Sequence, residues 1–239
     1  QLEDSRNLDR EAHASLENLR ARENEEKELI GDLDGLSLVQ STFKKISISP
    51  STSNTPRDEE VGGIPVDSDY VIFVVDTSGS MRAIWDRVTQ QIINILTIHP
   101  QVKGFQILDD QGKAILAGYS GKWIPDVPFR RKSVMKLFKG WQSASNSSPV
   151  EGVLTALRKY KKQGHTIAIY VFGDDYTGGS YDSVIADITK KNRDQKDGKR
   201  LAKIHAVGFP SQYTTDRFAI LMRELTKQND GTFIALPTY

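Results

Sequence analysis

The sequence predicts an α/β protein with a Rossmann-like, doubly wound sheet of six mostly parallel strands and helices on both faces. Two observations support this class. Continuous apolar runs at residues 71–75 and 166–172 are typical of parallel strands that are buried on both faces. Between the runs, apolar residues recur every three or four positions, which is typical of amphipathic helices. Strands that alternate with such helices favour a mostly parallel sheet with right-handed connections.

Each element follows from its local pattern. The turn residues 109–112 separate apolar runs at 104–108 and 114–119, and they predict a hairpin that supplies one antiparallel edge strand. The remaining predicted strands span residues 71–75, 166–172, 204–209 and 231–235, and the predicted helices span 84–98, 134–141, 150–157, 181–188 and 218–225.

The composition changes along the chain and divides it into three parts. Residues 1–36 are rich in Glu, Arg, Leu and Ala and predict a helix, either a single exposed one or one strand of a coiled coil. Residues 37–63 are rich in Ser, Thr and Pro and predict a linker, because they contain too few bulky side chains to form a core. The α/β domain occupies residues 64–239.

Composition and charge exclude several classes of function. The net charge of +1 gives no indication of nucleic-acid binding, although residues 1–35 carry eleven acidic and five basic residues. Because the chain has no cysteine, it forms no disulfide and no cysteine-ligated zinc site. No run of about 18 apolar residues predicts a membrane span. The chain begins without Met in a charged, helix-like pattern, so we expect a segment upstream of Gln1, including a membrane anchor.

Three loops that carry oxygen-bearing side chains follow predicted strands or precede a predicted helix. They are the motif Asp76-x-Ser78-x-Ser80, the polar segment 143–148 and the segment Gly173-Asp174-Asp175. In open α/β sheets, ligands bind at the carboxyl ends of the strands where the strand order reverses. Hard divalent cations prefer oxygen ligands, so the three loops predict a site for Mg²⁺, with Mn²⁺ or Ca²⁺ as alternatives.

The segment VIFVVDTSGSM at residues 71–81 resembles the first strand and DxSxS motif of the von Willebrand factor A (VWA) family. The resemblance covers about residues 64–239. It implies a metal-ion-dependent adhesion site whose ligands are Asp76, Ser78, Ser80, Ser148 and Asp174. The family usually has Thr at the position of Ser148, and the neighbouring Ser147 is an alternative ligand. Asp175 stands where the family often has Gly and adds negative charge beside the site.

The resemblance also implies a function, namely metal-dependent protein binding without catalysis. In this family the metal keeps an open position, and an Asp or Glu of a protein partner completes its coordination. A helix and linker ahead of such a domain resemble the arrangement in bacterial envelope proteins of the family. We therefore expect the domain on the periplasmic or extracellular side of a membrane, tethered to a larger assembly, with the cytoplasm as the alternative.

Two other functions compete with this expectation. One is a structural protein that forms homo-oligomers through residues 1–34 and retains only a vestigial metal site. The other is a Mg²⁺-dependent, phosphatase-like hydrolase. Such an enzyme usually needs a second acidic residue two positions after the first, as a general acid, and this chain has Ser78 there.

A short basic segment and the loop before it are two further candidate contact sites. Residues 129–139 carry five basic side chains on one predicted helix, for which we expect a solvated face, with anionic lipid or an acidic protein as alternative contacts. In the preceding loop we expect Trp123 to pack beneath the chain rather than to meet a partner.

Overall fold

The computed structural model describes residues 68–98, 102–143, 145–160, 164–211 and 214–236, together with two short strands. These strands, β1 (Glu60–Val61) and β2 (Ile64–Pro65), pair antiparallel. The chain divides into two units, Gln1–Pro56 and Arg57–Tyr239, and all described residues belong to the second. The helix predicted over residues 1–36 and most of the predicted linker lie outside the described residues.

A six-stranded sheet forms the centre of the described domain. The strand order is β5-β4-β3-β6-β7-β8, and β5 is antiparallel to β4 whereas all other neighbours are parallel. The predicted mostly parallel α/β sheet is therefore confirmed. The strands are β3 (Tyr70–Val75), β4 (Gly104–Asp109), β5 (Ile124–Pro125), β6 (Ile167–Gly173), β7 (Lys203–Gly208) and β8 (Phe233–Ala235).

Helices cover both faces of this sheet, because alternate residues of each central strand contribute to two separate cores. Phe73 of β3 belongs to one core and its neighbour Val74 to the other. Within the described residues, no helix has the length and apolar character needed to cross a bilayer. The helices are α1 (Gly79–Ala83), α2 (Trp85–Ile98), α3 (Pro128–Lys139), α4 (Val150–Lys159), α5 (Tyr181–Lys191) and α6 (Arg217–Gln228).

The antiparallel edge strand is present, but its predicted position was wrong. Beyond Asp109 the chain returns as expected, yet Ala114 makes only an isolated bridge to Leu108 and residues Ala117–Tyr119 form a 3₁₀ turn. The side-chain amide of Gln106 donates to the main-chain oxygens of Tyr119 and Lys122, at 3.0 and 2.9 Å, and fixes the returning chain as a loop. The edge strand therefore begins only at Ile124.

The strand register brings three chain segments to one edge of the sheet. Val75, the last residue of β3, is paired with Asp109 of β4 on one side and with Phe172 of β6 on the other. The residues that follow these three positions consequently emerge side by side at the carboxyl ends of neighbouring strands. The chain continues from β3 to β4 on one side and reaches β6 only later on the other, so the strand order reverses here.

Candidate metal centre

Asp76 follows β3 directly and is completely buried. Its amide donates to the main-chain oxygen of Phe172 at 2.9 Å, which holds the residue against β6. Its Oδ1 accepts from the Ser78 amide at 2.8 Å and from the Ser145 hydroxyl at 2.9 Å. Its Oδ2 is buried and has no hydrogen-bond partner in the described part of the chain. Asp76 thus presents one carboxylate oxygen that is ready to accept a ligand.

The two serines of the motif connect Asp76 to the third predicted loop. Ser78 precedes α1, the short helix that the sequence analysis did not predict, and Ser80 lies within it. Their hydroxyl oxygens are 3.1 Å apart. The Ser80 side chain also lies close enough to the Asp174 carboxyl group to lower its pKa. Four of the five predicted ligands therefore form a continuous chain of contacts: Asp76, Ser78, Ser80 and Asp174.

Asp174 follows β6 and is the second buried carboxylate with an unused oxygen. Its Oδ1 has no hydrogen-bond partner among the described residues. The preceding Gly173 packs so closely on Phe218 of α6 that an added Cβ would lie 2.6 Å from the ring. Because residue 173 has no side chain, α6 can approach the end of β6. This close packing determines the position of the Asp174 backbone.

Asp110 is a third buried carboxylate at the same edge, and the sequence analysis treated it only as part of a turn. Its Oδ2 lies 2.9 Å from the Ser145 hydroxyl oxygen and accepts from the Asn146 amide at 3.1 Å. Its main-chain oxygen accepts from the Gly152 amide at 2.8 Å at the start of α4. The sequence contains an indication of this carboxylate, because Asp109 and Asp110 come directly after the predicted strand at residues 104–108.

One hydroxyl is shared by two of these carboxyl groups. Ser145 Oγ lies 2.9 Å from an oxygen of Asp76 and 2.9 Å from an oxygen of Asp110, and it also accepts from the Ser147 amide. A hydroxyl has a single proton and donates to only one of the two carboxylates. Two ionised carboxylates in this arrangement therefore call for a compensating positive charge, either a proton on one of them or a bound cation.

Burial makes the negative charges at this edge costly. Desolvation raises the pKa of Asp76 to about 6, against the lowering effect of its hydrogen bonds to Ser78 and Ser145. Desolvation likewise raises the pKa of Asp110 and, with a contribution from the neighbouring charge of Asp175, the pKa of Asp174. All three carboxyl groups would be stabilised in their ionised form by a cation between the loops.

The loop before α4 touches both other loops, but Ser148 does so indirectly. The Ser148 hydroxyl donates to Glu151 at 3.2 Å, and its amide donates to the Asn146 side chain at 3.1 Å. Ser145 is the residue of this loop that contacts Asp76. Ser147 adopts a left-handed backbone with φ of 54°, and its main-chain oxygen accepts from the Thr177 amide beyond β6. The assignment of Ser148 as a ligand stays a prediction.

Asp175, in the same loop as Asp174, makes contacts that reach the start of α6. Its Oδ1 accepts from the Tyr176 amide at 2.7 Å, and the Thr215 hydroxyl before α6 also donates to it. Asp175 therefore ties the end of β6 to the start of α6, and its negative charge lies next to Asp174, as the sequence analysis expected.

The oxygen atoms at this edge fit a hard divalent cation. They are carboxylate and hydroxyl oxygens, and the two unpartnered ones, Asp76 Oδ2 and Asp174 Oδ1, are buried. Within the described ranges, no three or more side chains of His, Asp or Glu form a metal-binding group by themselves. A cation at this edge would consequently be held by carboxylates and serine hydroxyls together.

The whole chain was also compared with known proteins. No protein-family model matches it, and a search of curated proteins finds no significantly similar one. The likeness to the VWA family therefore stays an expectation from the motif at residues 71–81.

Proposed function

We propose that this chain is a divalent-metal-dependent protein-binding module of the VWA type. Asp76, Ser78, Ser80, Ser148 and Asp174 would hold Mg²⁺, Mn²⁺ or Ca²⁺, and an Asp or Glu of a protein partner would complete the coordination. The observation that carries this proposal is the pair of buried carboxylate oxygens without partners in the described part of the chain, Asp76 Oδ2 and Asp174 Oδ1, on residues that the contacts of Ser78 and Ser80 connect.

Electrostatics supports this choice of ligand. Burying an ionised carboxylate without a compensating positive charge costs several kcal/mol or forces it to take up a proton. When bound, the metal ion supplies the missing positive charge and, with uncharged hydroxyls among its ligands, an electrophilic position for an external carboxylate. Asp76 and Asp174 would each supply a carboxylate oxygen, and Ser145, which also contacts Asp110, orients Asp76.

The architecture supports the VWA type and a binding role. The described sheet has six strands, of which five are parallel and one, at an edge, is antiparallel, as expected of that fold. Ser78 stands where a phosphatase-like enzyme would need its second acidic residue. Because the site lies at the edge of the sheet and its loops are joined by hydrogen bonds, it suits recognition of a side chain presented by another protein.

Metal binding is tested by thermal unfolding of the full chain in chelator and in millimolar Mg²⁺. We expect Mg²⁺ to raise the melting temperature, because a ligand that binds only the folded state stabilises it. Asp76→Asn should abolish the increase, whereas Asp182→Asn, an exposed position on α5, should retain it. An increase that is unchanged in Asp76→Asn would refute the proposed site.

The partner's carboxylate is tested separately with displayed peptides. Peptides are selected on the Mg²⁺-loaded full chain and then screened again in chelator. We expect metal-dependent binders to share an Asp or Glu, and replacement of that residue by its amide should remove binding. If the selected peptides bind equally in chelator, or tolerate the amide, the site does not bind carboxylates even if it binds metal.

A further inference from the structure

Helix α3 presents a basic outer face whose apolar side chains are exposed. Four large apolar side chains are exposed in the described part of the chain, and three of them lie on α3 or immediately before it. Phe129 is 60% exposed, Leu137 is 51% exposed, and Val127 before the helix is 47% exposed. Exposed apolar residues that have no binding role usually occur singly over a protein surface, so a cluster on and beside one helix indicates a contact surface.

The opposite face of α3 is firmly attached to the domain. Val134, Met135 and Phe138 are buried, and the ring of Phe138 stacks on Trp85 of α2 with centroids 4.6 Å apart. The Trp85 indole also donates to the main-chain oxygen of Phe138 at 2.9 Å. The exposed face of α3 is therefore presented by a helix that is fixed to the core.

The charges on α3 are exclusively positive. Of its five basic residues, Arg131 is bound by Asp126 and by the main-chain oxygen of Leu96, and the Arg130 guanidinium lies 5.3 Å from the ring of Tyr119. Three of the five are spaced four and three positions apart and form one exposed stripe: Lys132, Lys136 and Lys139. The helix contains no acidic residue.

From this combination we infer that the outer face of α3, comprising Val127, Phe129, Lys132, Lys136, Leu137 and Lys139, docks onto the surface of an anionic lipid bilayer. Lysines near such a surface are attracted by the lipid phosphates. Phenylalanine and leucine beside them gain free energy by entering the boundary between headgroups and acyl chains. The outside of a single helix is convex and offers no groove for a peptide, whereas a fluid bilayer conforms to protruding side chains.

This contact is independent of the proposed metal site, so the test is performed in chelator. The full chain is mixed with vesicles of phosphatidylcholine alone, or with vesicles containing an equal part of phosphatidylglycerol, and binding is measured by flotation. We expect binding to the anionic vesicles only. Failure here would leave the metal proposal untouched, because no ligand of that site belongs to α3.

Variants separate the two contributions and have matched controls. We expect the Lys132→Gln, Lys136→Gln, Lys139→Gln triple variant to bind about a hundredfold more weakly. A triple variant at exposed lysines elsewhere in the domain should bind as the wild type does: Lys190→Gln, Lys196→Gln and Lys227→Gln. Phe129→Ser with Leu137→Ser should lose about tenfold or more, whereas Ile220→Ser, at a position that is 52% exposed on α6, should lose nothing.

Three results would overturn the inference. The first is equal binding to vesicles with and without phosphatidylglycerol. The second is an equal loss of vesicle binding in both lysine triple variants, which would mean that the total positive charge of the domain, and not the face of α3, determines binding. The third is binding of soluble polyglutamate as tightly as the vesicles, unaffected by the changes at Phe129 and Leu137, since the face would then be one for acidic polypeptides. Circular dichroism of each variant verifies that the fold is retained.

Discussion

At the scale of single residues, the balance of charge around Asp76 determines the stability of the domain in the absence of metal. Its carboxyl group is buried, its pKa is raised to about 6, and one of its oxygens has no partner. Asp110 shares the Ser145 hydroxyl with it. These residues therefore favour the folded state most when Asp76 is either protonated or next to a cation.

In chelator, we predict that the free energy of unfolding falls as the pH rises from about 4 to 7. A carboxyl whose pKa is raised on folding holds more protons in the folded state between its two pKa values, so stability decreases with pH in that window. For Asp76, whose pKa rises from 3.8 to about 6, the loss amounts to as much as about 3 kcal/mol. Urea unfolding at several pH values measures it.

Asp76→Asn provides the control, because an amide does not titrate and the fall should become shallower. Asp69 does not disturb the comparison. Its pKa is lowered to about 2, mainly by its hydrogen bond to Lys103, so its contribution changes only below about pH 4. Identical pH profiles for the wild type and Asp76→Asn would contradict the prediction.

Asp110 acts on the site through its neighbours, and we predict that Asp110→Asn lowers Mn²⁺ affinity by about tenfold or more, as is usual for residues that orient metal ligands. The amide keeps the size of the side chain but presents a donor in place of one acceptor of the Ser145 and Asn146 hydrogen bonds. Titration calorimetry measures the affinity, with Asp182→Asn as the reference. An unchanged affinity at lowered stability would mean that Asp110 only ties loops together.

At the scale of elements, close packing between α4 and the central strands determines where the loops meet. Gly152 in α4 lies so near β3 and β4 that an added Cβ would be 2.5 Å from Val74 and 2.8 Å from the main-chain oxygen of Asp109. The Gly152 amide donates to Asp110 in the same place. The start of α4 and the loop before it are thereby held against the end of β4.

We predict that Gly152→Ala destabilises the domain by about 1 to 3 kcal/mol, because the added methyl group forces α4 away from the strands. Gly140→Ala at the end of α3 is the matched control, since a Cβ there would meet no atom within 4 Å. Urea unfolding of both variants compares them. Equal stability of the two variants would contradict the described packing of α4.

The elements also explain which parts of the structure could be predicted from sequence. Helices and buried strands were found because their apolar patterns are local. The edge strand was predicted in the wrong place because Ile115 and Leu116 pack against the core from a loop. A short apolar segment of sequence does not distinguish such a loop from a strand. Helix α1 was missed because its five residues are too few to establish a helical period.

The candidate site was predictable in part for a similar reason. Asp76 and Asp174 follow buried strands, and parallel strands bring their carboxyl ends together, so their proximity could be inferred. Asp110 satisfies the same rule but was interpreted as a turn residue. The contact of Ser145 with Asp76 depends on the path of a loop that contains a left-handed residue, Ser147, and no periodicity encodes that path.

At the scale of the whole molecule, the described domain joins two surfaces with different chemistry. The carboxyl edge of the sheet gathers buried carboxylates and hydroxyls from three loops, whereas α3 presents lysines around exposed apolar side chains. The two surfaces share no residue, so a metal-dependent partner and a lipid surface would be bound independently. Variants of one surface should leave the other function intact.

The account depends above all on a cation between the loops at the end of β3. The most direct measurement is anomalous diffraction from crystals of the chain grown with Mn²⁺. We predict an anomalous peak about 2.2 Å from the hydroxyl oxygens of Ser78 and Ser80, adjacent to the carboxylates of Asp76 and Asp174. A structure at saturating Mn²⁺ with no peak there would contradict it.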